Sequence, residues 1–486
     1  MGLVPDLAAR RADLSPDPIA FVDHDSGQSW SFAQVNAAAS RMGAVLLQHA
    51  KPGARIAVLC QNRTEFFVAL FACQKAGLIL APLNWRQPVA ELRPVVASIG
   101  CSLVLHDDSF SAEAKALGLP CLGLIAAIAS TEPQPLPTRP IDEDAPWFVL
   151  FTSGTTGMPK AVIQTPRMVI ANASNIAQAM GLVARDVTVN FLPLFHTAGI
   201  NLFTLPLFLW GGTSRVLRSF DAQALLGLIG DRAITQFFGV PAIYQGLAEL
   251  PVQDGQLTGL RGWACGGAAL PEALIRHFAS KGAVIRNGFG MTESGPTGFL
   301  IDAEAALSRI GSVGKPQMLT EARLQGVADG EAGTGELQLR GPTITPGYLD
   351  NPQATAEAFT PDGWLKSGDV ASRDADGYYR IVDRIKDMYI SGGENVFPAE
   401  VEKVLITHPD ILEAAILGVP DQTWGEAGVG FVIARPGARV DTEALKPWLR
   451  ERIAGYKIPR QWVVVDDFPR TAAGKVRKPE LRKRLP

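Results

Sequence analysis

The chain has 486 residues, of which 47% are hydrophobic and 19% charged, with a net charge of -3. That length suits about three domains with sizeable cores. The scattered, nearly balanced charge argues against nucleic acid as a partner. Five cysteines (Cys60, Cys73, Cys101, Cys121 and Cys265) lie far apart, and the six histidines show no metal spacing. Buried thiols in a reducing, cytoplasmic setting fit this pattern better than disulfides or zinc.

In chain order, Pro5, Asp6, Arg10 and Arg11 precede any apolar run, against a signal peptide. Asp6 also breaks the myristoylation pattern that Gly2 could begin. Ser31 with Gln34 makes a capping box for a helix to about residue 48. Residues 55–60 read as a strand, Thr64 caps a helix ending near Gly77, and residues 78–83 form the next strand. Pro88 opens another helix and 102–106 is a strand. This alternation predicts parallel βαβ units. Residues 131–146, rich in proline and acid, read as a surface connection, and 147–151 as a buried strand.

Alternation resumes with strands expected at 161–164, 187–192, 213–217, 234–240, 262–264 and 283–287, and with Pro271 in a helix first turn. The apolar stretch 191–210 is interrupted by Pro193, His196, Asn201 and Pro206. It reads as a strand end and a buried helix rather than a membrane span. The fold expected is α/β: two doubly wound sheets, with ligands outside the carboxyl ends of the strands. From about residue 311 short strands at 322–325, 335–340 and 378–383 suggest a small β-barrel. The domain expectation is 1–384, followed by a separate α+β domain at 385–486.

The loop after residue 151 carries the first chemistry. Gly154 and Gly157 can turn backbone N–H groups around an anion. Thr152, Ser153, Thr155 and Thr156 add hydroxyls, and Lys160 a mobile positive charge, which suits a polyphosphate. A Walker A spacing fails, because Pro159 stands where its second glycine belongs. Asn287-Gly288-Phe289-Gly290-Met291-Thr292-Glu293 follows a strand. It offers an aromatic face for a purine, a hydroxyl for a phosphate, and a hard oxygen for Mg²⁺. Gly266-Gly267-Ala268 would let backbone approach the flat ring. Asp369 could accept hydrogen bonds from ribose hydroxyls, and Arg384 could bind phosphate or ribose. Lys386 reads as an exposed hinge position, Ser391-Gly392-Gly393 leads a second flexible loop, and Lys475 follows a glycine near the C-terminus.

Together these stretches resemble the adenylate-forming superfamily of acyl-CoA synthetases, peptide-synthetase adenylation domains and beetle luciferases. The resemblance covers about residues 20–480. It rests on Phe151-Thr-Ser-Gly-Thr-Thr-Gly-Met-Pro-Lys160, Leu192-Pro-Leu-Phe-His196, Gly290-Met-Thr-Glu293, Gly363-Trp-Leu-Lys-Ser-Gly-Asp369, Asp383-Arg384 through Glu400, and Pro469 through Lys475. Departures are Ala161 and Asp383 where the family usually has glycine, and Phe289 in place of tyrosine.

The resemblance implies attack of a carboxylate on the α-phosphorus of ATP, then displacement of AMP by coenzyme A. It implies Lys475 at the α-phosphate, Thr152 through Lys160 at the β- and γ-phosphates, and Glu293 with Thr152 at Mg²⁺. Thr292 is implied at the α-phosphate, Asp369 and Arg384 at the ribose, and Ile381 beside the nucleotide. For the second step it implies a swivel at Lys386 that brings the Ser391-Gly392-Gly393 loop to the site, with Tyr456 and Lys457 near coenzyme A. His196 matches a gate between the ATP and acyl pockets. The acyl wall expected is Phe237, Phe238, Gly239 and Val240 with Asn201, Phe203, Gly288 and Thr297.

No acid near residues 192–199 could pair an amino acid's ammonium, and no carrier serine is expected so soon after Lys475. A stand-alone ligase for a carboxylic acid is therefore expected. The pattern looks most like bacterial feruloyl- or coumaroyl-CoA synthetases, then medium-chain fatty acyl-CoA synthetases. Readings of another class are an ADP-forming ATPase, which the failed Walker spacing opposes, and a non-catalytic nucleotide sensor, which would lack Lys475 or Glu293. A homodimer is left open.

Overall fold

The computed structural model describes residues 2–130, 132–152, 159–253, 255–471 and 474–485. By packing, the chain divides into two units, Met1–Glu321 with Leu339–Leu365, and Ala322–Gln338 with Lys366–Pro486.

Among the described residues the first unit holds two large sheets and a two-stranded one, Leu3–Val4 with Ile141–Asp142. One large sheet has the strand order Lys160–Gln164, Phe148–Thr152, Ile79–Pro82, Arg55–Leu59, Cys101–His106, Cys121–Gly123. Its strands run parallel except the first pair, which is antiparallel. Residues 161–164 therefore close the first sheet instead of opening the second. These two strands stand too near each other in sequence for the long crossover that a parallel pair needs.

The helices over this sheet follow local chemistry. Phe32–His49 starts on the predicted capping box: Ser31 Oγ accepts from the Gln34 N–H at 3.2 Å, and Gln34 Oε1 from the Ser31 N–H at 2.8 Å. The helix Thr64–Ala76 is buried on all sides, as its run Phe66-Phe67-Val68-Ala69-Leu70-Phe71-Ala72 demands. Here the expectation needs correcting, because Thr64 is the first helical residue and Arg63 the cap, with no side-chain cap bond. Gly77 ends the helix at φ 67°, in the left-handed region. Lys75 in this helix is buried against Asp6 at 2.6 Å and Asn36 at 2.7 Å.

The second sheet has eight strands in the order Phe299–Leu300, Ile285–Phe289, Gly262–Cys265, Gln236–Gly239, Val187–Asn190, Thr213–Val216, Ile19–Asp23, Ser29–Ser31. The interior pairs are parallel and the two outer pairs antiparallel. Ile19–Asp23 joins this sheet from far away in sequence, which its five residues do not announce. Its Phe21 is fully buried and stacks on Phe67 at 4.8 Å and Phe208 at 5.6 Å. Phe237, Tyr244, Trp263 and Phe278 form the aromatic centre under the helices of this sheet. After Asn190 the chain makes a π-helical turn, Ala198–Leu202, and the buried helix Thr204–Trp210.

The second unit has a four-stranded sheet in the order Glu321–Leu324, Gly333–Arg340, Leu365–Arg373, Tyr379–Arg384. Another sheet joins Glu394–Val396, Tyr389–Ser391, Gly425–Ala434 and Ile411–Asp421, with Gln461–Val464 parallel to Gly425–Ala434. The helices Pro398–Leu405 and Thr442–Arg450 cover it through Val401, Leu405, Leu445 and Leu449, all at 0% exposure. The sequence draws its boundary at Arg384, whereas 322–338 and 366–384 pack with the C-terminal residues. One reason is Asp383: its Oδ2 accepts from the Ala399 N–H at 2.7 Å, in the first turn of Pro398–Leu405. Among the described residues no helix is long and apolar enough to cross a membrane.

Candidate active site

In the first unit the polyphosphate loop is bounded by Thr152 and Lys160, which face each other as a register pair across the antiparallel strands. Ser153, Gly154, Thr155, Thr156 and Gly157 lie outside the described residues. Lys160 Nζ sits 4.9 Å from the centre of the Tyr348 ring. Tyr348 donates its hydroxyl to Glu293 Oε1 at 3.0 Å, and burial followed by the Glu293 charge pushes its own pKa up. Nothing in the sequence marks Tyr348. It comes to the site through a segment almost two hundred residues beyond the loop, so its partner is visible only in three dimensions.

Glu293 is 6% exposed in a short 3₁₀ turn, Thr292–Ser294, and Thr292 is buried beside it. The Met291 N–H donates to Ser294 Oγ at 3.0 Å, which closes this turn. A buried carboxylate oriented by a phenol, near a threonine hydroxyl, is a hard-oxygen donor set that fits Mg²⁺.

Phe289 ends the strand Ile285–Phe289, half-buried, with its ring 6.1 Å from Phe299. Gly266 and Gly267 follow the strand Gly262–Cys265, ahead of Ala268. Gly267 has φ +83°, and a Cβ on Gly266 would lie 3.1 Å from the Phe238 ring. A Cβ on Gly290 would lie 1.6 Å from the Pro296 carbonyl oxygen, so only glycine fits there. Asn287 is buried, and its Nδ2 reaches the Ser312 carbonyl at 3.4 Å.

The residues expected to wall the acyl pocket separate into different surroundings. Phe238, Phe203, Val240 and Leu300 share one cluster, with the Phe203 and Phe238 rings 6.4 Å apart. Gly239 follows Phe238, and Gly288 pairs with Leu300 across the sheet edge. Thr297 is buried, and its Oγ1 has no partner among the described residues. Phe237 points the other way, at 0% exposure among Tyr244 and Trp263, because alternate residues of a strand face opposite sides. Asn201 is buried, with its Nδ2 donating to Gln164 and Thr197 and its Oδ1 left without a partner among the described residues. His196 is half-buried, and its Nδ1 accepts from the Ala198 N–H at 3.3 Å. That bond leaves the proton of a neutral ring on Nε2.

In the second unit Asp369 lies in the middle of the strand Leu365–Arg373, not at its end. It pairs in register with Arg384, whose Nε is 3.3 Å from Asp369 Oδ1. Asp369 Oδ2 is buried with no hydrogen-bond partner among the described residues. Burial pushes this carboxyl above its ordinary range, against the pull of Arg384, Lys475 and Lys386. An orphaned acceptor of this kind fits a ribose hydroxyl. Ile381 is half-buried on the neighbouring strand, opposite Ala371.

Lys386 is exposed in the turn after Arg384. Ser391 is buried, while Gly392 and Gly393 take φ of +62° and +86°. A Cβ on Gly392 would lie 2.7 Å from the Trp424 ring. Tyr456 is half-buried in the turn Gly455–Lys457, and Lys457 Nζ is held by Glu400 at 2.5 Å, a bond that raises its pKa. Lys475 is exposed, its N–H donating to Thr471 Oγ1 at 3.1 Å and its carbonyl accepting from the Thr471 N–H at 2.7 Å.

All five cysteines are free, four of them buried. Burial pushes the thiols of Cys60, Cys73 and Cys265 far up, which makes them inert packing groups.

The chain matches the AMP-binding enzyme family over residues 8–349, and the AMP-binding enzyme C-terminal domain over residues 400–475. It is 37% identical to a feruloyl-CoA synthase of an Amycolatopsis species over 485 residues, 98% of either chain. It is 33% identical to a long-chain-fatty-acid–CoA ligase of Mycobacterium tuberculosis, over 98% of this chain and 97% of the relative. The structure of O-succinylbenzoate coenzyme A synthetase from Bacillus subtilis with ATP and magnesium superposes with a TM-score of 0.90. Its identity is 30%, covering 99% of this chain and all of that one. The chain belongs to the family of AMP-binding enzymes, as an AMP-forming acyl-CoA synthetase that uses ATP, Mg²⁺ and coenzyme A.

Proposed function

We propose that the acid joined to coenzyme A is of the hydroxycinnamate type, such as ferulate or coumarate. The observation that carries this reading is the pair of phenylalanine rings, Phe203 and Phe238, 6.4 Å apart, with the Phe238 ring close against the backbone of Gly266. Aromatic rings beside bare backbone suit a flat aryl acid. The identity with a feruloyl-CoA synthase supports it. A medium-chain fatty acid is the second reading; the long-chain-fatty-acid–CoA ligase relative supports an aliphatic acid.

In the first step a carboxylate oxygen attacks the α-phosphorus of ATP, and the bond to pyrophosphate breaks. Negative charge gathers at one phosphorus, so donors must already surround it. On this reading Thr292 and Lys475 serve the α-phosphate, and Thr152 through Lys160 the β- and γ-phosphates. Phe289 with Gly266, Gly267 and Ala268 receives the adenine, while Asp369, Arg384 and Ile381 receive the ribose. Glu293 and Thr152 would hold Mg²⁺, which when bound neutralises phosphate charge. His196 stands between the acid and the phosphates.

In the second step the coenzyme A thiol attacks the acyl carbonyl and AMP leaves. Lys475 would obstruct that approach, so residues 385–486 swivel at Lys386. The Ser391-Gly392-Gly393 loop, Tyr456 and Lys457 then take over, with Lys457 sharing its charge between Glu400 and the coenzyme. A panel assay of carboxylates with ATP, Mg²⁺ and coenzyme A tests the acid. Turnover of ferulate and coumarate well above octanoate is expected; fast octanoate turnover without hydroxycinnamate turnover ends the aryl reading.

A further inference from the structure

Amide side chains taken out of water are costly unless bonded, and several converge at one place in the first unit. Gln164, at 0% exposure, ends the strand that begins at Lys160. Its Nε2 donates to the Thr292 carbonyl at 3.0 Å, and its Oε1 accepts from Asn201 Nδ2 at 3.2 Å. Asn201 Nδ2 also donates to Thr197 Oγ1 at 3.1 Å. Asn201 belongs to the π-helical turn Ala198–Leu202, just after His196.

A π turn breaks the regular helical ladder and leaves carbonyls to be satisfied elsewhere. Asparagines do so here. Asn172 Nδ2 bonds the Asn201 carbonyl at 2.6 Å, and Asn190 Nδ2 bonds the Gly199 carbonyl at 2.6 Å. The turn behind His196 is therefore held from two sides, and Gln164 links it to the segment carrying Thr292. The link has one sense only. Flipping the Gln164 amide would set its oxygen against the Thr292 carbonyl and its NH₂ against the Asn201 NH₂.

We infer that Gln164 and Asn201 are positioning residues, which keep the acid-side turn of His196 and Thr197 in register with the α-phosphate-side turn of Thr292. This rests on the adenylation reading given above. The attacking carboxylate and the phosphorus are held by different turns, and attack tolerates little error between them. A misplacement of about 1 Å can cost about a hundredfold in rate. A bonded amide between the two turns removes that freedom, whereas two separately packed turns would leave it.

The test uses the full chain with Gln164→Met, which keeps length and approximate volume but removes the side-chain hydrogen bonds to Thr292, Asn201 and the Ile163 carbonyl, and Thr197→Val, which removes the acceptor at Asn201. Pyrophosphate exchange, the acid KM, thioester formation from preformed acyl-adenylate, and thermal melting are measured for each. Q164M is expected to lose about tenfold to a hundredfold in the kcat of exchange and to raise the acid KM several-fold. Thioester formation from preformed adenylate is expected to stay within about threefold of the parent. T197V should move the same way by less, and because the bonds act as a unit, the double variant should be little worse than Q164M.

A parental kcat and acid KM in Q164M, or equal loss in both half-reactions, would overturn the inference. Should Q164M not fold, a parental kcat and acid KM in T197V would do so. A parent protein that exchanges no pyrophosphate with any acid overturns the adenylation reading itself, while active parent and unaltered variants sink only the positioning role.

Discussion

At Asp369, binding and stability pull in opposite directions. Its Oδ2 is buried without a partner among the described residues, and burial raises the pKa in spite of Arg384, Lys475 and Lys386. A carboxyl whose folded pKa lies above its unfolded value binds more protons in the folded state. Stability therefore falls as pH rises from the unfolded pKa through the folded one. Asp369→Asn is expected to raise the melting temperature at neutral pH without ATP, with the difference vanishing below about pH 4, where the unfolded carboxyl is protonated too. The same variant should raise the ATP KM; an unchanged KM would remove Asp369 from the ribose. Tyr348 is the other residue to test. A hydrogen bond to a charged group contributes about 1.5–3 kcal/mol. Tyr348→Phe should thus raise the Mg²⁺ concentration needed for half-maximal pyrophosphate exchange by at least about tenfold. An unchanged Mg²⁺ titration would separate the hydroxyl from metal binding.

The strand Gln236–Gly239 shows what an element decides that its residue types do not. Two adjacent phenylalanines look equivalent in the sequence, and both were expected to line the acyl pocket. The pleat sends Phe237 into the aromatic core and Phe238 toward Phe203. Phe237→Ala should therefore cost about 3–5 kcal/mol of stability, read by denaturant unfolding, and leave the order of preferred acids unchanged. Phe238→Ala should reorder the acids in the panel assay; the opposite pattern would exchange the two faces. Helix starts and stops were readable in the sequence where the decisive bonds are local. The Ser31–Gln34 capping box spans one turn, and Gly77 needs only its own backbone to end a helix. The strand Ile19–Asp23 was not readable, because five residues carry little pattern and their partner, Thr213–Val216, is distant.

For the molecule as a whole, two half-reactions need different surroundings for one acyl group, and on the function proposed above Lys475 is the residue that distinguishes them. It stands exposed, with Gly474 at φ +80° ahead of it. Lys475→Ala is expected to cut pyrophosphate exchange by at least about a hundredfold, as removal of one preorganised electrostatic contact does. Thioester formation from preformed acyl-adenylate should be largely spared. Equal loss in the two assays would refute the role given to the lysine.

The sequence by itself determined the chemistry and the family, because a hydroxyl-rich glycine loop, Gly290-Met-Thr-Glu293, Asp369 and the Gly474-Lys475 pair are local strings whose side-chain chemistry needs no fold to be recognised. It also determined the helices whose caps lie within a turn. Only the tertiary structure decided that Tyr348 orients Glu293, that the Asn201 Nδ2 is taken up by Gln164 and Thr197, and that Phe237 is core. The physical reason is common to all three. Burial and a side-chain hydrogen bond depend on which distant segment arrives alongside, and no window of neighbouring residues contains that partner.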